Sequence, residues 1–161
     1  MFQLHDFGIF RRNNTVTFNA LSEGTYADCT LTVTGRQGHV AYPERAENPI
    51  PALLDLLGRL LARKLDDGVP PFQPSNLEVT TIDVGNAPHN VIPAKATAKF
   101  NIRFNTAQTG DGLKTWLREQ AVAAEQGFFG DIDLDLTVTG DAFLTETGPF
   151  TDLLRAAVRD Q

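Results

Sequence analysis

Tyr26-Ala27-Asp28-Cys29-Thr30-Leu31-Thr32-Val33-Thr34 is the stretch that decides the fold. Ala27, Cys29, Leu31 and Val33 occupy one phase of its alternation and Asp28, Thr30, Thr32 and Thr34 the other, which is the pattern of a half-buried strand. Downstream, Gly35 to Pro43 reads as a loop. Asn48 then caps a helix whose first position is Pro49, where the missing N–H costs nothing and the fixed φ is already helical. Ile50, Leu53, Leu54, Leu57, Leu61 and Leu65 recur at helical spacing until Asp67-Gly68 and Pro70-Pro71 stop the helix.

Beyond that helix, Leu77 to Val84 reads as a second strand. Its apolar phase changes near Thr80-Thr81, as a bulge or a strand covered on both faces for part of its length would produce. Ala96, Ala98, Phe100, Ile102 and Phe104 point one way in a third strand, and Lys95, Thr97, Lys99, Asn101 and Arg103 the other. A second helix, starting near Thr109 or Asp111, gathers Leu113, Trp116, Leu117, Ala121 and Ala124 on one face and ends near Gly127. Asp131 to Thr139 alternates again. The order β-α-β-β-α-β predicts an α+β, ferredoxin-like two-layer sandwich: a four-stranded, mostly antiparallel sheet with two helices on one face. Upstream, residues 1–23 form an atypical segment in which Thr15 to Phe18 has the makings of a short strand; residues 24–146 form the domain. Residues 147–161, with Phe150, Leu153, Leu154 and Val158, predict a helix leaving it.

The 161 residues are 42% hydrophobic and 21% charged, ordinary globular composition for about one domain. Fourteen basic against twenty acidic residues give a net charge of −6, and no lysine- or arginine-rich cluster follows a phosphate backbone, which argues against nucleic acid as a partner. No apolar run approaches the roughly 18 residues of a membrane span, and His5 and Asp6 interrupt the start, so a soluble, non-secreted, cytoplasmic chain with no membrane partner is expected. Cys29 is the single cysteine; it excludes an internal disulfide and a thiolate metal site, and reads as a buried small hydrophobe.

The candidate chemistry centres on His39. A lone histidine is more often structural than catalytic, but Gly35 and Gly38 permit close backbone approach and Tyr42 adds a polar tip to the same loop. Asn90, in the turn Gly85 to Pro93, has an amide suited to a bound carbonyl or carboxylate, or equally to its own turn. Arg103 offers a guanidinium fork for a carboxylate ligand, or is one more arginine on a solvated face. Asp131, Asp133 and Asp135 lie on one strand face about 6–7 Å apart, too open for a single cation, and read better as an acidic solvent face. The three histidines, His5, His39 and His89, are widely spaced, and no nucleophile elbow, phosphate loop or HExxH helix accompanies them, so no metal site and no self-contained catalysis is expected.

Gly35-Arg36-Gln37-Gly38-His39-Val40-Ala41-Tyr42-Pro43, Asn48-Pro49-Ile50, Asn90-Val91-Ile92-Pro93 and Phe100-Asn101-Ile102-Arg103-Phe104 together resemble the lid, or dimerisation, domain of the dinuclear-zinc metallopeptidase family. That family includes succinyl-diaminopimelate desuccinylases, acetylornithine deacetylases, aminoacylases and carboxypeptidase G-type enzymes. The string Gly38 to Pro43 is most similar to the desuccinylases. The resemblance runs from about Gly24 to Val158 and implies a homodimer formed through the lid, with two zinc ions held by a catalytic domain absent from this chain. It implies that His39 reaches the partner's active site and stabilises the oxyanion formed when zinc-bound hydroxide attacks the amide. By the same resemblance Tyr42 and Asn90 touch substrate, Arg103 holds a substrate carboxylate, and N-succinyl-LL-diaminopimelate is hydrolysed to succinate and diaminopimelate in lysine and cell-wall biosynthesis.

The sequence departs from that family at Ser22-Glu23-Gly24-Thr25, where the family carries an arginine pair before Gly-Ser, and at His89, where asparagine or threonine is common. Two other readings stand beside this one. One is a stand-alone ferredoxin-like dimer that binds an amino acid or regulates another protein; the other is the lid of a related deacylase such as acetylornithine deacetylase.

Overall fold

In a computed structural model the chain is described over residues 8–12, 15–19, 25–70, 72–144 and 148–149. The expected C-terminal helix lies outside the described residues apart from Gly148 and Pro149, and so does His5. Strands β1 (Gly8–Arg12) and β2 (Thr15–Asn19) form a separate antiparallel hairpin, with the second where the sequence placed a short strand. The chain continues as β3 (Tyr26–Thr34), β4 (Gly38–His39), a single 3-10 turn (Pro43–Arg45), α1 (Pro49–Ala62), β5 (Asn76–Asp83), β6 (Val91–Ile92), β7 (Lys95–Arg103), α2 (Gly110–Ala124) and β8 (Asp131–Val138).

The main sheet runs β5-β7-β3-β8 and every neighbouring pair in it is antiparallel. β3 and β5, joined through α1, are therefore parallel with β7 between them, which is the split βαβ of a ferredoxin-like fold. The sequence expectation of an α+β two-layer sandwich is met. The register of β3 with β7 is unbroken from Tyr26↔Arg103 to Thr34↔Lys95. That of β5 with β7 shifts between Val79 and Thr81, so the phase change in the sequence is a bulge; Thr80 there donates its hydroxyl to the Lys99 carbonyl at 3.2 Å.

Both helices pack on the apolar face. Ala27, Cys29, Leu31 and Val33 of β3 and Ala96, Ala98, Phe100 and Ile102 of β7 meet Leu53, Leu56, Leu57 and Leu60 of α1 and Leu113, Trp116, Leu117 and Ala121 of α2. Asn48 caps α1 by accepting from the Ile50 N–H at 3.1 Å, and Thr109 caps α2 from the Gly112 N–H at 3.1 Å. The buried face of α1 is turned from the one its spacing suggests: Ala52, Leu56 and Leu60 are inside, whereas Leu54 and Leu61 are each 56% exposed. A helix this rich in leucine carries apolar side chains over much of its circumference, so period alone selects no unique face. α1 also stops at Ala62, short of Asp67-Gly68.

The segment after α1 is held by a polar knot. Asp66 accepts from the Gly68 N–H at 2.8 Å, the Ser75 N–H at 3.0 Å and the Asn105 amide at 2.8 Å. Asn105, fully buried, also donates to the Gln73 carbonyl and the Ser75 hydroxyl and accepts from the Ala107 N–H, so its polar atoms are all satisfied. Burial raises the Asp66 carboxyl pKa, but the hydrogen bonds from Ser75, Asn105 and Gly68 outweigh it and hold the group well below the usual carboxylate range.

Stability should respond differently to three substitutions. Leu56→Ala removes a fully buried side chain and should lower the unfolding free energy by about 2–5 kcal/mol in urea titration. Val122→Ala, at an exposed position of α2, should change it by no more than about 0.5 kcal/mol. Because the folded Asp66 value is depressed, its contribution is complete above the unfolded value of about 4 and is lost as pH falls through the folded value. Asp66→Asn should cost about 1–3 kcal/mol at pH 7, and the gap to the unmodified chain should narrow on acidification. A gap constant from pH 7 to pH 2 would remove the carboxylate from the account of acid stability.

Candidate functional site

The loop that carries His39 is tied at three places. Gly35 N–H donates to the Ala94 carbonyl at 2.8 Å, and Arg36 and Glu47 exchange backbone hydrogen bonds at 2.9 Å each. Gly38 and His39 then pair as β4 with Ile92 and Val91 of β6, and Val40 N–H donates to the Asn90 carbonyl at 3.1 Å. The two glycines answer to space, since neither has a positive φ. A Cβ on Gly35 would fall on the Glu47 carbonyl, and one on Gly38 would stand 2.6 Å from the Ala46 Cβ. The sequence alone read this segment as a loop; the short β4–β6 ladder that stiffens it has too few residues to show a period.

His39 itself is exposed, and its Nδ1 accepts from the Ala41 N–H at 3.0 Å. That bond requires a lone pair on Nδ1, so in the neutral ring the proton sits on Nε2 and faces outward as a donor. Tyr42, 54% exposed, has its ring 6.1 Å from that of His39. Its backbone N–H donates to the His39 carbonyl at 2.9 Å, closing the turn that brings the two side chains together. Arg45, one 3-10 turn further, lies with its guanidinium carbon 5.2 Å from the Tyr42 ring centre. Asn90 neighbours the strand residue paired with His39, and its side chain is exposed. Asn86 supplies the amide that serves the turn, donating to the Pro88 and Val91 carbonyls at 3.3 and 2.8 Å. His39, Tyr42 and Asn90 therefore share one end of the sheet.

Arg103 does not join them. It closes β7 at the opposite end, eight residues from Lys95, with its guanidinium carbon 4.7 Å from the Tyr26 ring centre. At about 3.3 Å per strand residue, the whole length of β7, about 26 Å, separates Arg103 from the His39 loop. Cys29 lies in the core, where burial first, then the Asp135 and Asp133 carboxylates, push its thiol up to about 12 and keep it protonated. Asp131, Asp133 and Asp135 are exposed along β8, an outer strand of the sheet.

Among the described residues no three or more His, Cys, Asp or Glu side chains come together as a metal site, so the residues present do not fit a zinc centre. Nor, among them, is any helix long and apolar enough to cross a membrane. What the His39 end offers is a fixed, outward hydrogen-bond donor with an aromatic ring, a guanidinium and an amide around it.

Residues 21–126 match the peptidase dimerisation domain family. A succinyl-diaminopimelate desuccinylase of Maricaulis maris is 72% identical over 131 residues, covering 81% of this chain and 34% of that protein. One from Caulobacter vibrioides is 57% identical over 130 residues, with the same shares. The chain thus spans about a third of the length of the curated relatives it matches. Among solved structures, aminopeptidase PepT of Bacillus cereus has a TM-score of 0.65 at 13% identity over 84% of this chain and 35% of that one. A tripeptidase of Staphylococcus aureus has a TM-score of 0.65 at 11% identity over the same shares. Those two share its fold. With the family match extending over well more than half of its length, the chain belongs to the peptidase dimerisation domain family.

Proposed function

We propose that this chain is the lid and dimerisation domain of a succinyl-diaminopimelate desuccinylase, with the lid proper over residues 24–146, and that it lends His39 to a reaction centre built by other polypeptide. The observation that carries this reading is the exposed imidazole of His39, whose Nδ1 accepts from the Ala41 N–H, on a loop paired with β6. Hydrolysis of an amide turns the carbonyl oxygen into an oxyanion, and a donor fixed in advance where that charge develops lowers the barrier. In this reading His39 is that donor, the Asn90 amide is a second polar contact, and Tyr42 walls the substrate. The two zinc ions that go with the family belong to the catalytic domain, and their chemistry stays there.

The separation of Arg103 from His39 bears on how the lid is shared. One substrate spans far less than the length of β7, so the two ends serve different sites: His39, Tyr42 and Asn90 the partner's, Arg103 its own protomer's. This arrangement needs a homodimer, and the two sheet edges are unequal candidates for pairing. β8 carries Asp131, Asp133 and Asp135, and a second copy brought against it would meet its own carboxylates. β5 carries Ile82, 54% exposed, and lies on the side of the domain covered by α1, whose outward Leu54 and Leu61 are unburied. The β5 edge with the outer face of α1 is the pairing surface in this proposal, and N-acyl amino acids are the substrate class.

Sedimentation of the chain should show a concentration-dependent dimer that Leu54→Asp with Leu61→Asp converts to monomer. A dimer indifferent to that pair but broken by Asp133→Lys would move the interface to β8. For catalysis, the full-length Maricaulis maris enzyme carrying residues 25–144 of this chain in place of its matching segment is the assay. His39→Ala there should reduce kcat by about 100- to 1,000-fold while sparing folding, and turnover within a few-fold of the unmodified chimaera would sink the oxyanion role.

A further inference from the structure

His39, Tyr42 and Arg45 follow one another at three-residue intervals, and the backbone turns so that the His39 and Arg45 side chains both come near the Tyr42 ring. The Arg45 N–H donates to the Tyr42 carbonyl at 3.0 Å, which folds the arginine back over the tyrosine. Its guanidinium carbon is 5.2 Å from the Tyr42 ring centre, and the His39 ring is 6.1 Å from the same ring. An arginine laid on an aromatic face is oriented by it, and the planar fork stays available to a carboxylate at the rim. The acidic neighbour Glu44 comes to 3.6 Å of Arg45 Nε, with both side chains mostly exposed. That is longer than a good hydrogen bond, and a pair so exposed to water competes weakly with a bidentate ligand.

We infer that Arg45 is a substrate-binding residue that holds the acyl or the distal carboxylate of the substrate while His39 meets the scissile amide. The inference rests on the lid reading and deepens it by naming a group that sets substrate choice. A succinyl group separates its amide carbon from its carboxylate carbon by three C–C bonds, about 4 Å. With a hydrogen bond of about 3 Å at each end, it reaches between two polar heads that both lie within about 6 Å of one tyrosine ring centre. A neutral acyl group such as acetyl offers Arg45 nothing to hold. The distal carboxylate of a diaminopimelate substrate is the other group the same fork would serve.

The test uses the chimaera described above with Arg45→Ala, Arg45→Lys and His39→Ala, each on three substrates. N-succinyl-LL-diaminopimelate carries every carboxylate, N-acetyl-LL-diaminopimelate lacks the acyl one, and Nα-succinyl-L-lysine lacks the distal one. Arg45→Ala should raise KM for the first by about 10- to 100-fold, the loss of one charge-assisted contact, and leave kcat within about twofold. Arg45→Lys should recover part of the loss, because an ammonium keeps the charge without the fork. The penalty should vanish on the acetyl substrate if Arg45 holds the acyl carboxylate, and on the succinyl-lysine substrate if it holds the distal one. A penalty equal on all three, or none on any, overturns the inference. If His39→Ala abolishes turnover while Arg45→Ala is silent, the inference falls alone; if both are silent, the oxyanion role proposed for His39 falls with it.

Discussion

Nine consecutive residue pairs join β3 to β7, from Tyr26↔Arg103 to Thr34↔Lys95, and every other part of the domain is positioned by that ladder. It fixes which side chains line the apolar face, since a slip of one residue would send Leu31 and Phe100 to water and Thr30 and Lys99 into the core. It brings Gly35 to Ala94 just beyond its upper end, and from that contact the β4–β6 ladder and the His39 loop continue. At its lower end the same pairing lays Arg103 beside Tyr26. The two ends of one ladder thus carry different chemistry, and the stiffness of the sheet keeps them apart.

The His39 end owes its rigidity to close backbone approach. Where Gly35 meets Glu47 and Gly38 meets Ala46, the absence of side chains lets two stretches of main chain lie against each other. The hydrogen bonds that result hold the imidazole tautomer, the Tyr42 ring and the Arg45 turn in one frame. In the oxyanion role proposed for His39, a donor gains most when its orientation is settled before substrate arrives. Elsewhere the polar knot around Asp66 and Asn105 plays a comparable part for the segment between α1 and β5, which has no regular structure to fix it.

Much of this was legible in residues alone because it rests on local rules. The alternation of β3 and β7, the Asn48 cap, a second helix starting near Thr109, the phase change at Thr80-Thr81 and the burial of Cys29 all follow from spacing and from which groups tolerate burial. His39 and Tyr42 were legible as polar residues of one glycine-bounded loop and Asn90 as one of a separate turn, whose nearness to that loop was not. Arg103 was legible as a fork on a polar face, and its distance from His39 was not. Arg45 has a signal in the three-residue spacing of 39, 42 and 45, which means little until a 3-10 turn brings its side chain near the Tyr42 ring. The Asp66 knot has none, because its partners are backbone N–H groups and an asparagine 39 positions away.

The sequence by itself determined the fold class, the strands and helices and the kind of residue at each turn, since hydrophobic period, capping and glycine placement act over a few residues. Only the tertiary structure decided which leucines of α1 face outward, that His39 and Asn90 stand together, and that Arg103 serves the other end of the sheet. Those facts depend on strand order and register, which are fixed by contacts between segments far apart in the chain and leave no trace in the spacing of either segment alone.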